Sequence, residues 1–468
     1  MSLARFARGA SIYAAAGLAL KALSLIIAPI YTRFLAVEEF GAINLAESFS
    51  AILAAVVSLS LPQALNRIYF KHEEREPRER FVSSVLWGGG AVTVAVLAMS
   101  FAVGPFTTAL VSRWFPSLTF YPVLALALGA ALATQYLQIW QRLFQAEETP
   151  RPFAVTRLMQ GILTSAAVLA LVVGLEAGGV GLLVGRLVGV LAVVAWVHWV
   201  FRRRMAPKPA LEDLRAAVRF GVPLIPFQIT VLVLEVSDRF VIEATLGTER
   251  VGVYSLAAML GGVMIFVNRS VVAAWHPVFY RHVETPEGRE RIGRDAVRVL
   301  SVTAAVAAFG AVIADDFVSI VFDARYAEAG ALVPWIIGGY LVWEVFALTN
   351  LQTHAKERPG VSSAIAVLSG IVNVGLNVWL VPRHGIVAAA ITTFAAYSLQ
   401  AVVGAIVAHR IQPIPYAWSR GGVVLAVFGA VLAVTQIEWA SPAHAWVARG
   451  VASFAALALA AVAVRGSR

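Results

Sequence analysis

The sequence predicts an all-α polytopic membrane protein of about fourteen spanning helices, and three observations carry that prediction. Of its 468 residues, 59% are hydrophobic and 14% charged, whereas a soluble domain carries about 25% charged and 45–50% apolar residues. Mean hydropathy is +0.78. The apolar residues also fall into runs of about 20, the length of helix that crosses hydrocarbon, and the loops between runs are short and asymmetric in charge.

The runs lie at about 9–31, 41–62, 82–104, 119–140, 153–174, 178–200, 218–237, 251–274, 296–314, 331–352, 361–381, 385–408, 421–437 and 444–464. The first follows "MSLARFARG" and has the charge pattern of a secretory signal, but Lys21 interrupts its apolar core. It is therefore expected to remain as an uncleaved span. Pro29, Pro62, Pro223 and Pro226 interrupt helical runs. In lipid such breaks survive only where neighbouring helices or water satisfy the freed backbone groups.

Charge sets the orientation. Seven arginines (33, 113, 239, 250, 325, 383 and 449) fall on one side, Lys21, Arg186 and Arg269 fall within spans, and about 27 of the 37 basic residues fall on the other side. Basic loops stay in the cytoplasm, so both termini of this multi-pass protein are expected there. This asymmetry also accounts for the formal charge of +10, so no nucleic acid is implied. No loop exceeds about 25 residues and no GxxxxGK[ST] loop is present, which leaves no place for an ATP-binding domain. With no cysteine in the chain, disulfides, thiolate metal sites and cysteine nucleophiles are excluded.

An internal repeat sets the domain organisation. "YTRFLAVEEFGAINLAESF" (Tyr31–Phe49) is echoed by "SDRFVIEATLGTERVGVYSLAAM" (Ser237–Met259). Each copy has an Arg-Phe closing a span, a short acidic loop, and a glycine opening the next span. The copies are six spans apart and so share an orientation, which makes a parallel repeat about an axis along the membrane normal. The expected division is an N-terminal lobe over 1–200, a basic linker over 201–219, a C-terminal lobe over 220–410, and two further helices over 411–468. The two six-helix lobes are expected to flank a central cavity.

The charges inside the spans are the candidate functional residues. Lys21 lies about 18 Å into its span counted from Gly9, and about 15 Å from Tyr31. Arg269 is its counterpart in span 8, and Arg186 lies about 12 Å into span 6. An ionisable group at such depth faces a cavity, a partner or a cargo. The acidic set is smaller: Glu47 opens span 2, Glu235 and Asp238 close span 7 beside Arg239, and Glu344 lies mid-span. Glu344 and Glu47 are candidates for carrying a coupling proton or sodium ion; Glu235, Asp238 and Arg239 are structural or gating candidates. Asn268, Asn373, Asn377, Gln135 and Gln138 are read as interhelical hydrogen-bonding residues. A cationic cavity suits an anionic cargo, phosphate above all.

Three stretches, "APIYTRFLAVEEFGAINL", "SDRFVIEATLGTERVGVYSLA" and "IVNVGLNVWLVPRHGIVAAAITTFAAY", resemble the Wzx-like polysaccharide flippase family. That family lies within the multidrug/oligosaccharidyl-lipid/polysaccharide exporter superfamily. The resemblance implies flipping of polyprenyl-diphosphate-linked oligosaccharide to the outer leaflet by alternating access, for surface polysaccharide synthesis. It implies no enzyme and no cofactor, with a polysaccharide polymerase and a chain-length regulator as partners. Lys21 and Arg269 lie on the spans that, in the related lipid II flippases, carry basic cavity residues; those proteins have a further arginine on span 2, where this chain has Glu47. An ion-coupled multidrug exporter of the superfamily would need a carboxylate deep in span 1, which is absent here. A membrane glycosyltransferase or polymerase would need a larger outer loop than Ala314–Gly330, which carries Asp315 and Asp316.

Overall fold

The computed structural model describes residues 3–437 except 112 and 114, together with residues 447, 448, 450, 451 and 454. Among the described residues there is helix and no strand. The helices are α1 (Leu3–Phe34), α2 (Val37–Val57), α3 (Leu61–Ile68), α4 (Arg75–Val111), α5 (Ala125–Ala146), α6 (Pro150–Leu169), α7 (Gly178–Val200), α8 (Leu211–Gly221), α9 (Ile225–Leu246), α10 (Thr248–Gly261), α11 (Val263–His282), α12 (Pro286–Val321), α13 (Ala329–Thr349), α14 (Leu351–Ala355), α15 (Pro359–His384), α16 (Ile386–Ile411) and α17 (Trp418–Thr435). Twelve of the resulting segments are long and apolar enough to cross a membrane, and a bent pair around α8 and α9 would make thirteen. These match the first thirteen runs read from sequence. The fourteenth, 444–464, lies outside the described residues.

Several boundaries move outward for a simple reason. Hydropathy ends a span at its first charges, but a helix continues while those charges can be solvated or paired. The run expected at 296–314 is a helix over Pro286–Val321. Its first turns carry Arg291–Asp295 at 3.5 Å, Arg294–Glu290 at 3.7 Å and Arg298–Asp295 at 2.6 Å, spacings at which side chains are neighbours on a helix. Thr285 caps it by accepting from the Gly288 amide.

The basic linker is likewise partly helical. α8 buries Asp213, Ala217 and Gly221, and Arg80 of α4 holds Asp213 at 3.0 Å. A short 3-10 turn, Val222–Leu224, then precedes α9, and the chain bends by 49° between the two helices. Pro223 and Pro226 lie at this bend; each lacks an amide donor and crowds the preceding turn. The seventh run, expected at 218–237, is displaced accordingly and extends to Leu246.

The chain divides into two compact units, Met1–Gly252 and Val253–Arg468. In the first, the two copies of the repeat meet. A Cβ on Gly41 would lie 2.1 Å from the Thr248 carbonyl oxygen and 2.8 Å from the Gly252 amide, and one on Gly252 would lie 2.2 Å from the Val37 carbonyl oxygen. The glycine opening the second span of each copy is thus a point of backbone-to-backbone approach, which only a residue without a side chain permits. In the second unit, α11, α13, α15 and α16 pack through buried amides. Asn268 donates to the Tyr340 carbonyl at 2.6 Å, Asn377 to Asn373 Oδ1 at 3.2 Å, and Thr392 to Asn377 Oδ1 at 2.6 Å.

Two outcomes follow. Gly41→Ala should lower the melting temperature of purified protein by several degrees, and Gly41→Ser should do no better, because the obstruction is backbone. For topology, a cysteine at Glu73 or Glu287, both exposed, should be shielded in intact cells from an impermeant thiol reagent. A cysteine at Glu249 should be labelled. Glu249 is preferable to Gly247, whose φ of +90° would strain any side chain.

Candidate functional site

A cavity of the first unit opens between α1, α6 and α7, and its shape follows from how α7 meets α6. Gly181, Gly185 and Gly189 recur every four residues along one face of α7. A Cβ on Gly185 would lie 2.7 Å from the Val168 amide of α6, and one on Gly189 would lie 2.4 Å from Thr164 Cα. The glycine row presses the two backbones together, as small residues do between membrane helices. Arg186, the residue after Gly185, emerges beside this seam.

The cavity measures about 270 Å³ and is lined by Leu20, Leu23, Ser24, Ile27 and Tyr31 from α1, by Arg157, Gln160, Gly161, Thr164, Ser165 and Val168 from α6, and by Arg186 from α7. Two guanidinium groups, a phenol, an amide and three hydroxyl groups thus converge on a space the size of a diphosphate or one sugar ring. Arg186 donates to Glu47 Oε1 on α2 and to the Tyr31 hydroxyl. The side chains of Arg186 and Glu47 retain 28% and 30% of their exposure, so this ion pair borders the cavity and is not sealed from it.

The sequence-derived residues are distributed as follows. Glu47 and Arg186, read separately as a coupling carboxylate and a cargo-binding cation, are partners in one ion pair. Lys21 is half-buried on α1 and is not among the cavity's lining residues. Asp238 is buried on α9 and meets Arg239 at 3.5 Å, and the backbone carbonyl of Glu235 accepts from Arg239 Nη1 at 2.9 Å. In the second unit, Arg269 is exposed on α11, and Glu344 is 0% exposed on α13. Glu344 Oε1 accepts from the Thr303 hydroxyl at 3.0 Å, while Oε2 has no hydrogen-bond partner. Gln135 and Gln138 are half-buried on α5. Among the described residues no cluster of three or more His, Asp or Glu side chains is arranged to hold a metal.

Arg157 is the residue that sequence reading missed. It stands four residues inside the fifth apolar run and looks like a cation snorkelling from the loop. The helix begins at Pro150, which puts Arg157 about 10 Å along it. The available signal was periodicity: Arg157, Gln160 and Thr164 share one helical face.

A bundle of membrane-crossing helices with guanidinium groups turned into a polar cavity within the span region is the make-up of a transporter. The family described as polysaccharide biosynthesis protein matches residues 6–283, and this chain belongs to that family. Over 353 residues it is 26% identical to the succinoglycan biosynthesis transport protein ExoT of Rhizobium meliloti, covering 72% of this chain and 66% of that protein. Over 218 residues it is 21% identical to the probable low-salt glycan biosynthesis flippase Agl15 of Haloferax volcanii, covering 46% of each. The matches thus span about half and just under two thirds of the relatives' own lengths. The fold is that of the lipid II flippase MurJ in its inward closed conformation, with a TM-score of 0.70 at 12% identity over 96% of this chain and 97% of that one.

The ion pair gives a direct test. Glu47→Gln leaves a cation inside the span region without its carboxylate, and Arg186→Gln leaves the reverse. A double-mutant cycle on thermal stability should give a coupling energy on the order of 1–3 kcal/mol, with the double variant more stable than the sum of the singles implies.

Proposed function

We propose that this protein flips a polyprenyl-diphosphate-linked oligosaccharide from the cytoplasmic to the outer leaflet of a bacterial inner membrane by alternating access, supplying surface polysaccharide synthesis. The observation that carries the reading is the pairing of Arg157 and Arg186 in one cavity. A diphosphate needs charge-assisted donors wherever it leaves water, and guanidinium groups supply them in forked pairs. Ser24, Gln160, Thr164 and Ser165 add the mixed donors and acceptors that suit a sugar. About 270 Å³ accommodates the diphosphate or the first sugar, not a whole oligosaccharide, so the cavity is a headgroup subsite of a larger route. Lys21, on the same helix as Ser24 and Tyr31, extends that route in this reading, and both termini are cytoplasmic by the charge asymmetry. A polymerase and a chain-length regulator are the downstream partners, and transport without bond-making is the activity.

Glu344 is the proposed coupling group. Its surroundings supply a single hydroxyl donor and no cation among the described residues, and one carboxylate oxygen is left without a hydrogen-bond partner. A proton taken up and released there, when the surroundings change, would link transport to a pH gradient. Glu47, held by Arg186, is the weaker candidate for the same reason inverted: its charge is already compensated.

Reconstituted vesicles containing a polyprenyl-diphosphate glycan, with an impermeant probe of its outer-leaflet appearance, test both parts. Arg157→Gln, Arg186→Gln and Lys21→Met should each lower the flipping rate by about tenfold or more, the loss of one charge-assisted contact, while Lys21→Arg retains part of it. Normal flipping in the two arginine variants would remove the cavity from the mechanism. An imposed pH gradient should accelerate wild type and leave Glu344→Gln unaffected; equal gradient responses would make Glu344 structural. Efflux of organic cations with no glycan movement would instead identify a multidrug exporter.

A further inference from the structure

A second polar cavity lies at the end of the first unit that carries the basic loops. It measures about 350 Å³ and is lined by Tyr69, by Arg75, Arg78, Glu79 and Val82 at the start of α4, by Glu147 and Thr149 between α5 and α6, and by Arg204 just after α7. Three separate connections thus close on one space, and they bring charges of both signs. Arg204 Nη2 meets both Glu147 oxygens, at 3.0 and 3.1 Å. Arg78 lies 5.1 Å from the centre of the Tyr69 ring and donates through Nε to the His72 carbonyl at 2.8 Å. Arg75 meets Glu79 at 2.8 Å, with 89% of its own side chain exposed.

The charges do not cancel within the cavity. Burial holds the Glu147 carboxyl above the usual carboxylate range, Arg204 offsets only part of that, and Glu79 adds to it from the same space. Burial also raises the Tyr69 phenol, and Glu147 adds to that shift. Each carboxylate has one arginine, Arg75 at Glu79 and Arg204 at Glu147, and its remaining lone pairs can take the N–H donors of a small cation; the third guanidinium, Arg78, leaves room for an anion. Phe70 and Trp199, neighbours in sequence to this cavity, are 63% and 70% exposed. Such side chains at the ends of membrane spans lie among lipid headgroups.

We infer that this cavity binds the zwitterionic phosphoethanolamine headgroup of a membrane lipid, with its phosphate among Arg75, Arg78 and Arg204 and its ammonium between Glu79 and Glu147. Arginine forks match phosphate oxygens, and a primary ammonium has three N–H donors to give the two carboxylates. Phosphatidylglycerol offers only the anion. Phosphatidylcholine offers a cation with no N–H to donate. The site therefore discriminates by its carboxylates. It lies apart from the Arg157–Arg186 cavity and is independent of the cargo.

Native mass spectrometry of the purified full chain, titrated with each lipid in the absence of any glycan, tests this. Wild type should retain phosphatidylethanolamine at least about tenfold more tightly than phosphatidylglycerol or phosphatidylcholine, the value of one charge-assisted contact. Glu79→Gln combined with Glu147→Gln should abolish that preference and leave phosphatidylglycerol binding unchanged or stronger. Should the double variant fail to fold, Glu79→Gln alone, on a side chain 36% exposed, should still reduce the preference severalfold. Equal binding of phosphatidylglycerol by wild type, or an undiminished preference in the variants, would overturn the inference. Displacement of the lipid by equimolar soluble O-phosphoethanolamine would also overturn it, since the source would then be a free solute.

Discussion

The ion pair between Arg186 and Glu47 is the constraint around which the first unit is arranged. By translocation-based scales an arginine in the middle of a spanning helix costs about 2.5–3.5 kcal/mol, and α7 is otherwise apolar from Gly178 to Val197. Glu47 answers the charge from α2, and Tyr31 answers it from α1. The consecutive helices α1 and α2 are therefore tied to the distant α7 at one point, about 12 Å from the start of α7. Without that tie the cavity beside it would place an uncompensated cation in hydrocarbon.

Glycine packing makes the tie reachable. Gly185 and Gly189 let α7 lie against α6 at backbone distance, which sets the Arg186 side chain at the edge of the seam and not buried within it. Gly41 brings the start of α2 against Thr248 and Gly252 in the same manner. The glycine shared by the two repeat copies is therefore a matter of approach: each second span has near its start the one residue that lets another backbone come within contact. The repeat was visible in the sequence as an Arg-Phe, an acidic loop and a glycine. That the two glycines face one another was not, because nothing in a one-dimensional pattern says which copies meet.

Other features divide along the same line. Spans are legible because hydrocarbon imposes one length and one composition, and the first thirteen runs have helices in their places. Their ends are less legible, because the amphipathic starts of α8 and α12 are polar by composition and helical by pairing. Arg186, Glu47 and Glu344 could each be singled out as charges in apolar runs, yet the pairing of the first two required three-dimensional neighbours. Arg157 stayed hidden because proximity to a loop gives a cation an ordinary explanation. The polar cavity around Glu147 and Arg204 was less legible still: it is assembled from three connections, none of which has a motif.

The two units differ in how they hold polar groups inside. The first has an ion pair beside an open, guanidinium-lined cavity, and also buries Glu243, which accepts from the Thr248 hydroxyl at 3.1 Å. The second keeps its interior polar through amides, with Asn268, Asn373 and Asn377 all 0% exposed, and has at Glu344 a carboxyl whose second oxygen meets no donor. An amide network is indifferent to protons, and a compensated ion pair resists them. A lone buried carboxyl is neither, because its charge state must follow whatever water or cation its surroundings admit. In the proposed reading, holding an anion falls to Arg157 and Arg186 in the first unit and responding to a proton gradient falls to Glu344 in the second.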